Sequence, residues 1–579
     1  MPVENAAVAR IFRELADLLE IQGANPFRVR AYRNAARTIE ELPEPVAELA
    51  RAGPKRLAEL PGVGTDLGGK IVEIVQTGTL AALAEVTREL PKGLVALMRV
   101  RGLGPKKARA LYDALGVSSL EELEEAARAG RIREIKGFAA KTEQHILEEL
   151  AARRGMGGEQ RVPRAVAGQY GEALLGYLSA APGVTRAEIA GSYRRGKDTV
   201  GDLDILVDAA EDAGVADRFV AYPEVEEVLA HGPTKASVRL RSGLQVDLRV
   251  LPAESYGAGL HYFTGSKAHN IAVRRLGQQR GLKVSEYGVF RGEQQIAGRT
   301  EAQVYDTVDL PWIAPELRED RGEIEAAREG RLPHLVELTD IRGDLQMHTT
   351  GSDGRGTLEE MAEAAQALGY EYIGITDHTP ALRMVQGLDS AGFRRQMKAI
   401  DRLNARLRTL TVLKGAEVDI LADGSLDLDD ETLAALDCVV ISVHSRLDLP
   451  ERQQTDRILR ALHHPAVDVL GHPTGRLLGR RAPMQLDLEL ICRAAADHGV
   501  LLEVNAQPER LDLDDVQTRA ALDLGAGLVI STDAHAAAEL RFMRWGVDQA
   551  RRGWAEVRQV ANTRPLEGLL KLLHRGRRA

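Results

Sequence analysis

The sequence predicts a chain of several domains, α+β in its first part and α/β in its last. Three observations predict this. Residues 4–150 read as short amphipathic helices separated by Gly-Pro and Gly-x-Gly turns. From Ala187 to Leu251 the pattern changes to alternating strands: AEIAGS, DLDILVD, SVRLRS and LQVDLRVL. From Ile341 onward, apolar strand-like runs and amphipathic helices alternate about seven times, the pattern of a parallel sheet or barrel.

Apolar residues at helical spacing place helices near 8–21, 26–41, 68–76 and 105–115. Residues 153–158, RRGMGG, read as a linker. After the strands come a mixed region, 252–313, and a charge-rich stretch, 316–335, which reads as a helix ending near Pro333. Beyond it, runs such as GDLQMH, YIGITDH, CVVISVH and GLVISTDAH alternate with helices near 391–408, 451–463 and 513–524. These breaks divide the chain into 1–90, 91–152, 153–252, 253–315, a linker 316–340, and 341–579.

Composition narrows the partners. The net charge is −9, but residues 1–300 carry +3 and the remainder −12. A bulk charge near zero leaves room for local basic faces toward phosphate. Ten of the 14 histidines lie at or beyond His334. Histidine and acid together point to metal there. No long apolar run and no signal-like start are present, so no membrane partner and a cytoplasmic location are expected. Cys438 and Cys492 sit beside apolar residues and read as buried thiols.

The string 191–208, GSYRRGKDTVGDLDILVD, carries the sharpest chemistry. Residues i and i+2 of a strand share a face, so Asp202 and Asp204 aim at one point. Adjacent carboxylates repel unless a divalent cation lies between them, and Mg²⁺ suits such a site when phosphates complete it. Gly191 and Ser192 offer phosphate donors, and Arg194 or Arg195 a planar fork. Asp247, in LQVDLRV, supplies a third carboxylate from a neighbouring strand. Three carboxylates can hold two ions, one lowering the pKa of an attacking hydroxyl and one neutralising a triphosphate.

LPGVG at 60–64 and GLGPKKA at 102–108 each place a Gly-x-Gly hairpin before a helix. Free N–H groups at such a helix start can hold one backbone phosphate without reading sequence. Gly62, Gly64, Gly102, Gly104, Lys106 and Lys107 are the candidate DNA contacts. IKGFAAKTEQHIL at 135–147 looks like a third copy, with Ala139 in place of the second glycine.

In the last segment His348 with Asp353, His378, Glu417, His444, His472, and Asp533 with His535 all fall at strand ends. In β/α barrels these ends converge on one face. Imidazole with carboxylate suits Zn²⁺, Mn²⁺ or Fe. His463, His464, His498 and His574 lie inside or at the ends of helices and read as surface or structural.

GSYRRGKDTVGDLDILV resembles the nucleotidyltransferase signature of family X DNA polymerases, the group of DNA polymerase beta. The resemblance spans residues 1–315, with hairpins, palm strands and thumb in order. It implies that Gly191, Ser192 and Arg195 hold the triphosphate, with Arg161 assisting. YFTGSKAHN at 262–270 resembles the family's nucleotide-binding segment. There Tyr262 and Phe263 would pack against the sugar and disfavour a 2′-OH, with Gly265 a further nucleotide contact. Asn270 would touch the minor-groove edge of the base and Arg274 the template side. LPGVGTDLGGKI resembles the deoxyribose-phosphate lyase segment, which puts Lys70 where a neutral amine would form a Schiff base. Three departures stand out: Asp66 replaces a basic residue, Gln245 an arginine, and Val200 a small hydroxyl residue.

Residues 341–579 resemble the polymerase-and-histidinol-phosphatase (PHP) family, which implies a distorted (β/α)7 barrel, up to three ions and phosphoester hydrolysis. By that likeness His348, Glu417 and Asp533 serve the first ion. Glu417 bridges to a second held by His444 and His472, and Asp353, His378 and His535 hold the third. The family opens on His-x-His, whereas Gln346 stands first here. Together the two resemblances imply a polymerase that fills short gaps in DNA repair, in base excision or end joining, with a 3′→5′ exonuclease. Expected cofactors are Mg²⁺ or Mn²⁺ at the polymerase site and Mn²⁺ or Zn²⁺ in the barrel. Expected partners are gapped or nicked primer–template and deoxynucleoside triphosphates, bound by a monomer associated with the nucleoid. The alternative reading keeps the polymerase but makes the barrel structural, a 3′-end phosphatase or an abasic-site endonuclease.

Overall fold

The computed structural model describes residues 5–573 apart from 41, 43–44, 61, 92, 99, 101–102, 136, 140–141, 148–149, 151–160, 211 and 383–384. The linker expected at 153–158, Gly102 and His574 lie outside the described residues.

The first region is helical. Helices Asn5–Gln22 and Pro26–Glu40 pack along their length. Their apolar faces, Val8, Phe12, Leu15 and Leu19 against Val29, Tyr32 and Ala36, are buried. The same apolar cluster continues through Leu111, Leu123 and Ile146. Helix Thr65–Thr77 starts earlier than its apolar period predicted. Gly64 already stands as its extended N-cap, which frees the first turn.

A five-stranded mixed sheet follows, in the order Arg186–Ile189, Asp202–Asp208, Gln245–Leu251, Lys235–Leu240, Val225–His231. Strand Asp202–Asp208 runs parallel to Gln245–Leu251 and antiparallel to Arg186–Ile189. Leu203, Ile205 and Val207 alternate into a core with Tyr170, Leu174 and Leu178 of helix Arg164–Ser179. The expected strand AEIAGS stops at Ile189. Gly191 has φ +62 and turns the chain into one helical turn, Gly191–Arg194. Helices Tyr256–Thr264 and Lys267–Gln279 and a three-stranded antiparallel sheet complete this part.

The helix expected over 316–335 is not formed. A 3-10 turn at Pro315–Leu317 and a short helix, Glu323–Arg328, stand there instead. Asp320 at φ 58 and Gly322 at φ 98 enter the left-handed region and break the run. Glu323 holds the break by accepting the N–H groups of Asp320 and Arg321 at 2.8 and 2.7 Å, and it pairs with buried His269 at 2.6 Å.

The last region is a barrel of seven parallel strands in sequential order, as expected. Its first and last strands meet: His348 N–H donates to the Ala534 carbonyl at 2.8 Å, and Asp533 N–H to the Gln346 carbonyl at 3.0 Å. Helix Leu566–Leu573 plugs the end where the strands start, packing near Tyr372, Cys438, Val469 and Leu501. No helix among the described residues is long and apolar enough to cross a membrane.

Helix Tyr256–Thr264 touches its neighbour through Gly257, where a Cβ would collide with the Thr300 backbone. Backbone cannot yield as a side chain does, so Gly257→Ala is expected to destabilise this part by about 3 kcal/mol. Differential scanning calorimetry should show its transition lowered and that of the barrel unmoved.

Candidate active sites

The parallel register sets Asp204 opposite Asp247, and Asp202 opposite Gln245. All three carboxylates therefore meet on one face of the sheet, near the starts of two adjacent interior strands. Asp247 accepts from Ser237 Oγ and, at 3.2 Å, from Gln245 Nε2. Gln245 thus steadies the third carboxylate as a neutral donor. Gly191 lies against this cluster. A Cβ there would strike the Asp204 carboxylate, and φ +62 favours glycine as well. Arg249, which the sequence reading missed, faces Asp204 electrostatically and stacks 5.0 Å from the Phe263 ring. Its place two residues after Asp247, on the same strand face, was the available signal.

Tyr262 and Phe263 contact each other edge-on at 5.1 Å, and Arg274 lies 4.9 Å over Tyr262. Asn270 Nδ2 donates to the Tyr262 carbonyl at 2.7 Å, while its buried Oδ1 finds no hydrogen-bond donor among the described residues. Arg195 donates to Glu319 at 3.0 Å and to the Thr264 carbonyl, one residue before Gly265. Arg194 forms a fork on Glu301 at 2.8 and 2.9 Å, a structural pair that Arg318 joins. Arg161 is tied to Thr199 through its hydroxyl at 3.0 Å and its carbonyl at 2.6 Å.

Gly64 and Gly104 cap their helices with nearly identical backbones, φ −81, ψ 174 and φ −87, ψ 177. Gly62, Gly64, Gly104 and Lys106 are exposed, and Lys107 lies 5.6 Å over the Phe138 ring. Lys70 pairs with Asp66 and sits 5.5 Å over Tyr32. Partial burial opposes its charge, but the bonds to Asp66 and Tyr32 win and push its pKa up. That favours an ammonium rather than the free amine a Schiff base needs.

In the barrel Glu417 lies at the centre. His472 reaches it at 2.9 Å, and His348, His378 and His444 at 3.3 Å each. His348 meets Asp533 at 3.0 Å, and His535 meets Asp353 at 3.4 Å. Among the described residues, three groups have metal-binding proximity: His348, Asp353, His378 and His535; His378, Glu417 and His444; and His348, Glu417 and Asp533. The last is the set expected for the first ion. His378 joins two groups, because its ring stacks on His348 at 4.5 Å and meets His444 edge-on at 5.2 Å. His472 shares Glu417 Oε1 with His444, at 2.9 and 3.3 Å, the two rings 5.1 Å apart. Sequence reading missed Asp419, 3.2 Å from His444, and Glu503 and Asn505, which brace His472 and Asp533. Asp419 follows Glu417 by two residues on one strand face, which was its signal. His463 and His498 pair ring to ring at 4.4 Å, apart from this cluster.

Both clusters fit divalent ions. Burial opposes ionisation of Glu417, yet His378, His444 and His348 hold it well below the usual carboxylate range. Even so, Glu417 Oε2 meets His348 and His378 only at 3.3 Å, and among the described residues His348 Nδ1, His472 Nδ1 and both amide atoms of Gln346 are buried without a hydrogen-bond partner. Buried polar atoms normally find one, so this many together marks a ligand set. At the other site Asp204 is pushed up to about 7, first by burial and then by Asp202 and Asp247. A carboxyl raised on folding contributes stability at low pH that is lost as pH climbs from about 4 toward 7. In chelator, Asp204→Asn is expected to stabilise this domain at pH 8 by about 2–3 kcal/mol and to change little at pH 4. Thermal melts across pH check this.

Five family models match the chain in sequence order. They are a helix-hairpin-helix domain over residues 3–80 and a SAM-like helix-hairpin-helix tandem over 94–152. The DNA polymerase beta palm follows over 161–236, the DNA polymerase beta thumb over 259–319 and the PHP domain over 344–507. The chain is 38% identical over 574 residues to the DNA polymerase/3′-5′ exonuclease PolX of Bacillus subtilis (strain 168), covering 98% of this chain and 99% of that protein. It is 28% identical over 352 residues to DNA polymerase lambda of Arabidopsis thaliana, 55% of this chain and 62% of that one. With DNA polymerase lambda of Rattus norvegicus the identity is 25% over 345 residues, 54% and 56% of the two chains. With both clusters and both modules in one chain, this protein belongs to the family X DNA polymerases that carry a C-terminal PHP domain.

Proposed function

We propose that the chain adds deoxynucleotides to primer ends in short DNA gaps and removes 3′ nucleotides with its barrel. The observation that carries this is the presence of two separate ligand clusters on one chain. One is carboxylate-only and lies beside a phosphate-type turn. The other is rich in imidazole and lies at barrel strand ends. Hard carboxylates suit Mg²⁺ with substrate phosphates, whereas mixed imidazole and carboxylate suit Mn²⁺ or Zn²⁺.

Asp202, Asp204 and Asp247 would hold the ions of the first site. Those ions supply Lewis acidity at phosphorus and a lowered hydroxyl pKa. The chain's own part is placement. The Gly191–Ser192 turn offers donors to the triphosphate, and Arg195 a planar cation. Tyr262 and Phe263 form a wall for the sugar, and Asn270 keeps an acceptor buried beside it. The paired glycine caps and Lys106 and Lys107 would grip the DNA backbone, which makes binding strongly salt-dependent. Lys70, held as a cation, suits a 5′-phosphate. In the barrel, Glu417 with His348, His378, His444, His472, Asp353, Asp533 and His535 would hold up to three ions. We place this activity in gap repair on gapped or nicked DNA, carried out by a monomer.

Two experiments test the assignment. On one gapped primer–template with Mn²⁺, Asp202→Ala is expected to abolish extension and spare degradation, and His378→Ala to do the reverse. Loss of both activities in either variant would refute separate sites. The buried, unpartnered amide of Gln346 offers a neutral oxygen where imidazole would bind more strongly. Gln346→His is therefore expected to tighten Mn²⁺ binding by about tenfold or to add about one ion per chain. Metal analysis after gel filtration reads this directly.

A further inference from the structure

We propose that Arg552, at the end of the barrel helix Met543–Arg552, is a positioning residue for nucleotide addition at the other site. The proposal rests on the reading of Arg195 as a triphosphate ligand. Arg552 belongs to the barrel, yet its side chain is 1% exposed because it is sunk into the turn that carries Arg195. One Nη donates to the Arg195 main-chain carbonyl at 2.5 Å and to Glu319 at 3.1 Å, and the other pairs with Asp515. A Cβ at Gly196, the next residue, would lie 3.3 Å from Arg552 Cδ. The barrel therefore grips the outer side of the turn.

Two further ties flank this one. Arg164 pairs with Asp548 at 2.5 Å, donates to the Tyr193 carbonyl at 3.0 Å, and stacks 5.0 Å from both Tyr193 and Trp545. Arg476 pairs with Asp198 at 3.2 Å. The turn is thus held at Tyr193, Arg195 and Asp198, and of these three ties the one through Arg552 also meets Glu319, a partner of the Arg195 guanidinium. Glu319 Oε1 accepts from Arg195 at 3.0 Å, from Arg552 at 3.1 Å, and lies 3.5 Å from Lys197. A triphosphate must draw Arg195 away from Glu319. While Arg552 and Lys197 share that oxygen, Arg195 is released more readily. Without Arg552, Glu319 keeps Arg195 and the turn loses its outer support.

The test uses the full chain, a one-nucleotide-gapped duplex and steady-state insertion with varied nucleotide in Mg²⁺. Arg552→Ala is expected to raise the nucleotide KM by about tenfold with kcat within about threefold, a split a general loss of fold would not give. Mn²⁺-dependent 3′ degradation of the same DNA should stay at the native rate. Arg552→Lys, which keeps the charge on Glu319, should restore most of the KM. Arg195→Ala should also raise KM, and adding Arg552→Ala to it should cost little more, since the two act in series. Should the alanine variant lose its fold, Arg552→Gln keeps the stem against Gly196 and gives the same readout. A native KM in the folded Arg552 variants, with a raised KM in Arg195→Ala, would overturn the proposal and leave the site reading intact. A native KM in Arg195→Ala would instead overturn the reading of Arg195 on which it rests.

Discussion

Carboxylates crowded into a low-dielectric site cannot all ionise unless a cation stands among them, and both centres of this chain are built on that constraint. Asp204 shows the tension most directly, being raised to about 7 by burial and by two neighbouring aspartates. Glu417 shows the opposite solution, a buried carboxylate kept ionised by the histidines around it. The surrounding structure serves to hold these groups close against their repulsion. Parallel strand pairing does so at the first site, and barrel closure at the second.

The two scaffolds are different, and so is what they ask of their sequences. In the sheet, one register decides everything, because a slip of one residue would turn Asp202 and Asp204 to the face opposite Asp247. In the barrel, six of the seven strands contribute candidate ligands at their ends while Leu501–Asn505 braces them, and convergence comes from closure between Gln346–His348 and Asp533–Ala534. Between them lies a seam of arginines, each paired with a carboxylate across the boundary: Arg164 with Asp548, Arg476 with Asp198 and Arg552 with Glu319. The arginines are largely buried, so loss of any of these partners leaves a charge poorly compensated at the boundary.

Much of this was legible along the chain, because its chemistry is written in local patterns. Alternation in DLDILVD predicts both the strand and the shared face of its aspartates. Successive strand-end histidines predict a common rim, since parallel strands bring their C-terminal ends together. The stretch 316–335 misled because its charges fit a helix face. Its left-handed residues and the capping role of Glu323 depend on His269, 54 positions away. The partition of the barrel ligands was similarly hidden. His378 serves two groups because of how three rings stack, which spacing cannot encode.

The sequence by itself determined the modules, the three aspartates of one site and the strand-end ligands of the other, because these follow from periods of two and from residue chemistry. The tertiary structure alone decided the state of Lys70 beside Asp66, the support of Asp247 by Ser237, and the sharing of Glu319 by three cations. Each depends on charged groups meeting at a few ångströms across distant stretches of chain, and at such range electrostatics answers to position, not to order.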